Sequence, residues 1–111
     1  MADSTCETVF IITLYFAPVD VPKFLEMAMP IFDKVQSEPD FLYYEMYHAH
    51  DDPGAISFLE KWSKPADWLM QNQLTKEYYK EYLAVTERMY VKPREMKILN
   101  LMGSKYSFQR S

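Results

Sequence analysis

The sequence predicts an α+β domain of the ferredoxin-like type: a four-stranded antiparallel sheet with its helices on one face. Three observations carry this. Four stretches, 8–16, 41–50, 55–62 and 94–102, are rich in β-branched and aromatic residues or alternate as strands do. Two regions, 21–37 and 63–90, carry apolar residues at helical spacing. Their order is β-α-β-β-α-β, the split βαβ unit, and right-handed crossovers put both helical regions on the same side of the sheet.

Each element has a local reason. Residues 8–16 are apolar on both faces, which predicts a central strand or one buried on both sides. Pro18 helps turn the chain, and Asp20 is the expected N-cap of the first helix. Phe24, Ala28, Ile31, Phe32 and Val35 then form one stripe. Pro30 lies inside this pattern and is expected to kink the helix rather than end it. In the next strand Phe41, Tyr43, Glu45 and Tyr47 alternate against Leu42, Tyr44, Met46 and His48. Asp51-Asp52-Pro53-Gly54 reads as the turn of a hairpin. The third strand puts Phe58, Glu60 and Trp62 on one face, with Leu59 and Lys61 on the other.

Ser63 is the expected N-cap of a short helix to Asn72, with Pro65 in its first turn. Thr75 caps a second piece running to Tyr90, with Tyr78, Tyr82, Val85 and Met89 on one stripe. Lys92-Pro93 is expected to break that helix, and Gly103 to stop the last strand. The reading is one domain over 8–103, with terminal extensions at 1–7, expected to fray, and 104–111.

Composition narrows the function. The chain has 111 residues, 49% hydrophobic and only 2 Gly, which is a compact globular composition. A net charge of −4 without a basic stripe argues against a nucleic-acid partner, and the lack of a polybasic run argues against a membrane surface. The apolar run 9–17 is too short to span a bilayer. Cys6 has no partner for an internal disulfide, so the default location is cytoplasmic. The sheet face away from the helices carries large apolar and aromatic residues. Such a face predicts a homodimer packed sheet to sheet; the alternative is a monomer with scattered surface aromatics.

Asp52-Pro53-Gly54, then Phe58-Leu59-Glu60-Lys61-Trp62-Ser63, then a short helix and an aromatic-rich second one, resemble the antibiotic biosynthesis monooxygenase family. The resemblance covers roughly Thr8 to Gly103, and Glu-x-Trp-Ser at the strand end is its most specific local piece. It implies a dimeric α+β barrel with a cavity between sheet and helices. It also implies a small monooxygenase that needs no metal or flavin, acting with O₂ on an electron-rich aromatic, quinol or polyketide-like substrate of secondary metabolism. Such a substrate, once deprotonated, gives an electron to O₂ itself, and the protein supplies orientation and exclusion of water. Two departures bear on this. Where many members carry a helix histidine, this chain has Gln71 and Asn72. The resemblance also extends to haem-opening relatives that use a helix tryptophan and, further on, a histidine that ligates iron; here those positions are Gln71 or Asn72 and Glu81 or Tyr82, and neither histidine of the chain lies in the helices, which disfavours haem opening. The alternative is a non-oxidative protein that binds a hydrophobic small molecule, or a cyclase-type barrel.

The candidate site residues each have two readings. Trp62 lines a pocket and stacks on a flat ligand, or closes the sheet end as a core tryptophan; Phe58 and Trp68 join it as candidate substrate-binding aromatics. Tyr78 and Tyr82, clustered with Tyr79, bind a polar aromatic through their hydroxyls, or pack in the core with the hydroxyls at its edge. His48 is a candidate catalytic base, since histidine takes up a proton near neutrality, or a surface or dimer-facing residue. Asn72 is a candidate catalytic hydrogen-bonding residue, or a helix end facing water. Glu60 is expected to find a partner across the dimer. No Cys/His spacing predicts a metal site, and no Gly-rich loop predicts a nucleotide.

Overall fold

The computed structural model of the chain describes residues 7–110. The expectations for residues 1–6, Cys6 among them, and for Ser111 lie outside the described residues. Four strands, β1 (Thr8–Phe16), β2 (Phe41–Ala49), β3 (Asp52–Trp62) and β4 (Tyr90–Asn100), form one antiparallel sheet in the order β2-β3-β1-β4. The long helix α1 (Val21–Gln36) follows β1 and runs unbroken through Pro30. Between β3 and β4 lie α2 (Ala66–Trp68), a π turn (Leu69–Gln73) and α3 (Tyr78–Thr86). This is the ferredoxin-like α+β fold, with β1 central as its two apolar faces require. Among the described residues no helix is long and apolar enough to cross a membrane.

The core follows the strand alternation. Phe10, Leu14 and Phe16 of β1 and Ile56, Phe58 and Trp62 of β3 point to the helices and are buried. They meet Phe24, Ala28, Phe32 and Val35, the predicted stripe of α1. Phe16 lies 4.5 Å from Phe24 and Phe32 stands edge-on to Phe58 at 5.4 Å, centroid to centroid. The opposite face presents Ile11, Tyr43, Tyr47, Leu59 and Leu99, and no element among the described residues covers it.

Several boundaries move, each for a physical reason. The hairpin turns at His50 and Asp51, so Asp52, Pro53 and Gly54 belong to β3. A register slip between His48 and Ala49 accommodates Pro53, and Asp52 Oδ1 accepts the Gly54 N–H at 3.0 Å. Gly54 is required there because a Cβ would overlap the Phe16 carbonyl oxygen. A second slip between Phe41 and Tyr43 turns Phe41 to the helix side, where it meets Trp62 at 4.9 Å and Tyr44 at 6.1 Å. The predicted grouping of Phe41 with Tyr43 therefore fails, while Tyr43, Glu45 and Tyr47 do share the open face.

The expected side-chain caps are also corrected. Asp20 closes a 3₁₀ turn over Pro18–Asp20, its N–H donating to Ala17 O at 2.8 Å, and its side chain caps nothing. Ser63 ties the end of β3 to the loop before β2, with its N–H donating to Asp40 O at 2.9 Å; Pro65, with extended backbone, is the N-cap of α2. Thr75 Oγ1 donates back to Gln71 O at 2.9 Å instead of capping α3. The last strand begins at Tyr90 rather than Arg94. Pro93 lies inside it, at a register slip between Thr13 and Tyr15, because β4 is an edge strand and can omit an N–H there.

Candidate active site

The sheet's helix-facing side does not fill completely against the helices. A cavity of about 160 Å³ remains. Its floor is Phe10, Ile12 and Leu14 of β1, flanked by Phe58 and Glu60 of β3 and by Tyr90, Arg94 and Met96 of β4. Ile31, Phe32 and Val35 of α1 form one wall, and Tyr79, Tyr82 and Leu83 of α3 the other. The walls are thus mainly apolar, with a carboxyl, a guanidinium and phenolic hydroxyls set among them.

Glu60 is the unusual member. Strand alternation places it between Phe58 and Trp62 on the buried face, where it is 7% exposed. The indole N–H of Trp62 donates to its Oε1 at 3.1 Å. No hydrogen bond engages Oε2 among the described residues. Burial pushes the Glu60 carboxyl up to about 7, with the Trp62 hydrogen bond opposing the rise. Such a group changes protonation state near neutral pH.

The tyrosines behave oppositely. Burial raises the Tyr82 hydroxyl, Tyr90 and Glu60 add to the rise, and Arg94 opposes it. Burial likewise raises Tyr79. Both stay protonated at neutral pH and are hydrogen-bond donors, not bases. Gln73 orients the cluster. It sits in the π turn with 1% exposure, and its Nε2 donates to Tyr78 OH at 2.7 Å and to Tyr79 OH at 2.9 Å. The Tyr78 hydroxyl donates to Glu38 Oε2 at 2.7 Å, and Lys76 pairs with Glu38 Oε1 at 3.3 Å. Tyr78 is pushed up to about 12, by burial first and then by Glu38.

The predicted site residues are only partly brought together. Phe58 and Tyr82 line the cavity. Trp62 is fully buried beside it, packed with Phe10, Val35 and Leu69, and reaches the cavity only through its bond to Glu60. Trp68 packs against that same cluster, with the Lys64 ammonium 5.2 Å from its ring. Tyr78 faces the Glu38 network. Asn72 is exposed, its Nδ2 donating to Trp68 O at 3.0 Å within its own turn. His48 lies apart, in an exposed groove bordered by Leu25, Met29 and Met46. Glu60, expected to reach across a dimer, faces the helices instead. Tyr79, Tyr90, Arg94 and Met96 complete the lining and were not singled out as ligand-binding residues by the sequence, apart from Tyr79 as part of a tyrosine cluster.

A ferredoxin-like domain with a cavity between sheet and helices, holding one buried carboxyl, defines a small α+β pocket protein. No family model matches the chain. A candidate monooxygenase of Pestalotiopsis microspora is 34% identical over 91 residues, spanning 82% of this chain and 76% of that protein. The chain belongs to the antibiotic biosynthesis monooxygenase family. The fold agrees. A conserved protein from Methanosarcina mazei superposes with a TM-score of 0.77 at 18% identity, covering 87% of this chain and 94% of that one. A solved antibiotic biosynthesis monooxygenase gives 0.74 at 17%, over 86% and 98%. SnoaB, a cofactor-independent oxygenase from Streptomyces nogalater, gives 0.72 at 12%, over 91% and 98%.

Proposed function

We propose that this protein is a cofactor-independent monooxygenase that oxidises an electron-rich phenolic or quinol aromatic with O₂ inside the cavity between sheet and helices. The observation that carries the reading is Glu60, a carboxyl with one oxygen held by Trp62 and the other left without a protein partner in an apolar chamber. Ionised, it takes the proton of a phenolic hydroxyl. The resulting phenolate gives an electron to O₂, and the two radicals join to form a carbon–oxygen bond. Return of the proton from Glu60 makes a hydroperoxide; the hydrogen on the oxygenated ring carbon then leaves as a proton, its electron pair forms the new carbonyl as the O–O bond breaks, and the expelled hydroxide takes that proton to leave as water. For a hydroquinone the balance is quinol plus O₂ to hydroxyquinone plus water, the substrate supplying all four electrons. Tyr79 and Tyr82 donate to the oxygen that gains charge, and the apolar walls keep water out. The kinship with a candidate monooxygenase supports the general class, and the cofactor-independent oxygenase of the same fold supports the metal- and flavin-free route.

The working unit is residues 8–103, paired with a second copy through the open sheet face. Tyr43 and Tyr47 on β2 and Leu99 on β4 are each more than 40% exposed, large apolar side chains at both margins of that face that a partner surface would bury. Oxygen uptake by protein treated with chelator and freed of flavin, over a panel of quinols and anthrones, tests the reaction. Labelled O₂ should leave one labelled oxygen in the product and one in water. Uptake no faster than the uncatalysed rate across the panel refutes the proposal.

A further inference from the structure

The cavity is electrically lopsided. Glu60 stands on β3 opposite Phe10, and Arg94 stands on β4 beside Leu14, with β1 between them; two strand spacings across the sheet and four residues along it put their backbones about 16 Å apart, a gap that the two side chains and one ring between them span. Among the described residues Arg94 is the one cation in the lining and forms no ion pair. Tyr82 feels both ends, Glu60 raising its hydroxyl and Arg94 lowering it. Between the two ends the floor is apolar, with Ile12 and Met96 paired across β1 and β4. The 160 Å³ of room matches a single ring, since engineered cavities of about 150 Å³ take benzene.

We propose that the substrate is a one-ring aromatic acid, its carboxylate held by Arg94 on the β4 side and its phenolic hydroxyl meeting Glu60 on the β3 side. A guanidinium binds a carboxylate through two parallel hydrogen bonds, a geometry that a neutral ring cannot use. Repulsion between Glu60 and the same carboxylate rejects the reversed orientation. A neutral quinol has two similar ends and sits either way, whereas the acid presents one hydroxyl to the base every time. The assignment of the phenol to Glu60 rests on the monooxygenase reading; the anion site on Arg94 does not.

The test separates the two. Calorimetry under nitrogen compares homogentisate with methylhydroquinone, the same dihydroxylated ring with and without the carboxylate. Wild type should bind the acid about tenfold or more tightly. Arg94→Gln should bring the acid down to the level of methylhydroquinone, and Arg94→Lys should restore part of the difference. Arg94 is exposed, so both variants should keep the wild-type melting transition, which circular dichroism checks. Equal affinities in wild type, no binding of either probe at millimolar concentration, or a preference that survives Arg94→Gln each overturn the proposal. Tight binding of homogentisate without oxygen uptake in air would instead sink the monooxygenase reading and leave the anion site standing. Oxygen uptake on methylhydroquinone with no preference for the acid would do the reverse.

Discussion

Replacing Glu60 by Gln tests the site at its most unusual group. The amide keeps the shape and can still accept the Trp62 indole N–H, so packing should survive. What changes is the charge. In the unfolded chain the carboxyl titrates near 4.5, and in the folded protein near 7. The gap, at about 1.36 kcal/mol per pH unit, corresponds to about 3 kcal/mol. The sign follows from proton binding. The folded state holds this proton more tightly, so the stabilising contribution is complete below pH 4.5 and is lost as pH rises through 7. Roughly 2 kcal/mol of the loss should fall between pH 5.5 and 8. Urea unfolding of wild type and Glu60→Gln across that range measures it. The difference between the two curves should slope, with the variant gaining on wild type as pH rises. A flat difference would show that no buried carboxyl titrates there, and the case for Glu60 as base would fall with it. In turnover the same variant should lose about 10²-fold or more in kcat, and wild-type activity should rise with pH through about 7.

Four other substitutions bear on the fold and the site. Gly54→Ala forces a methyl against the Phe16 carbonyl and should cost about 1–3 kcal/mol or more in thermal unfolding; an unchanged melting temperature would show that the strands can part there. Gln73→Leu leaves Tyr78 and Tyr79 without their shared donor and should cost about 1–3 kcal/mol, with a raised KM for a phenolic substrate. Leu59→Lys puts a charge on the open sheet face and should shift sedimentation from dimer to monomer; wild type sedimenting as a monomer would refute the sheet-to-sheet pairing. His48→Ala lies outside the cavity and should leave kcat within about twofold, where a larger loss would return His48 to the list of bases.

What was legible in the sequence depended on period, and what was hidden depended on partners. The apolar β-branched run of β1, the alternation in β3 and the stripe of α1 fixed element order, sheet topology and core. The same alternation put Glu60 between Phe58 and Trp62, and that grouping is what the structure has. It does not say which face the helices cover, which is why a dimer contact for Glu60 is as consistent with the pattern as a buried one. A carboxylate flanked at i−2 and i+2 by buried-type aromatics was the signal, and it points inward. Bulges were invisible because they are set by the facing strand. Phe41 moved to the helix side for that reason. Pro93 reads as a helix breaker in a lone sequence, so the start of β4 at Tyr90 is hidden; at a sheet edge the proline is tolerated, and only the packing of α3 over β4 brings Arg94 to the cavity. The π turn that buries Gln73 has no local signature; only the tyrosines it meets explain it.

Pro93 has one more consequence. β4 is the outermost strand on its side of the sheet, and its free edge is where a stray chain would add on to build a continuous fibre. Pro93 withholds an N–H there and the slipped register breaks the ladder, while Lys92, Arg94 and Lys97 line the exposed strand with positive charge. Edgewise polymerisation is blocked at this margin. Under the proposed sheet-to-sheet pairing a second copy meets the broad face instead, where contact closes on itself and stops.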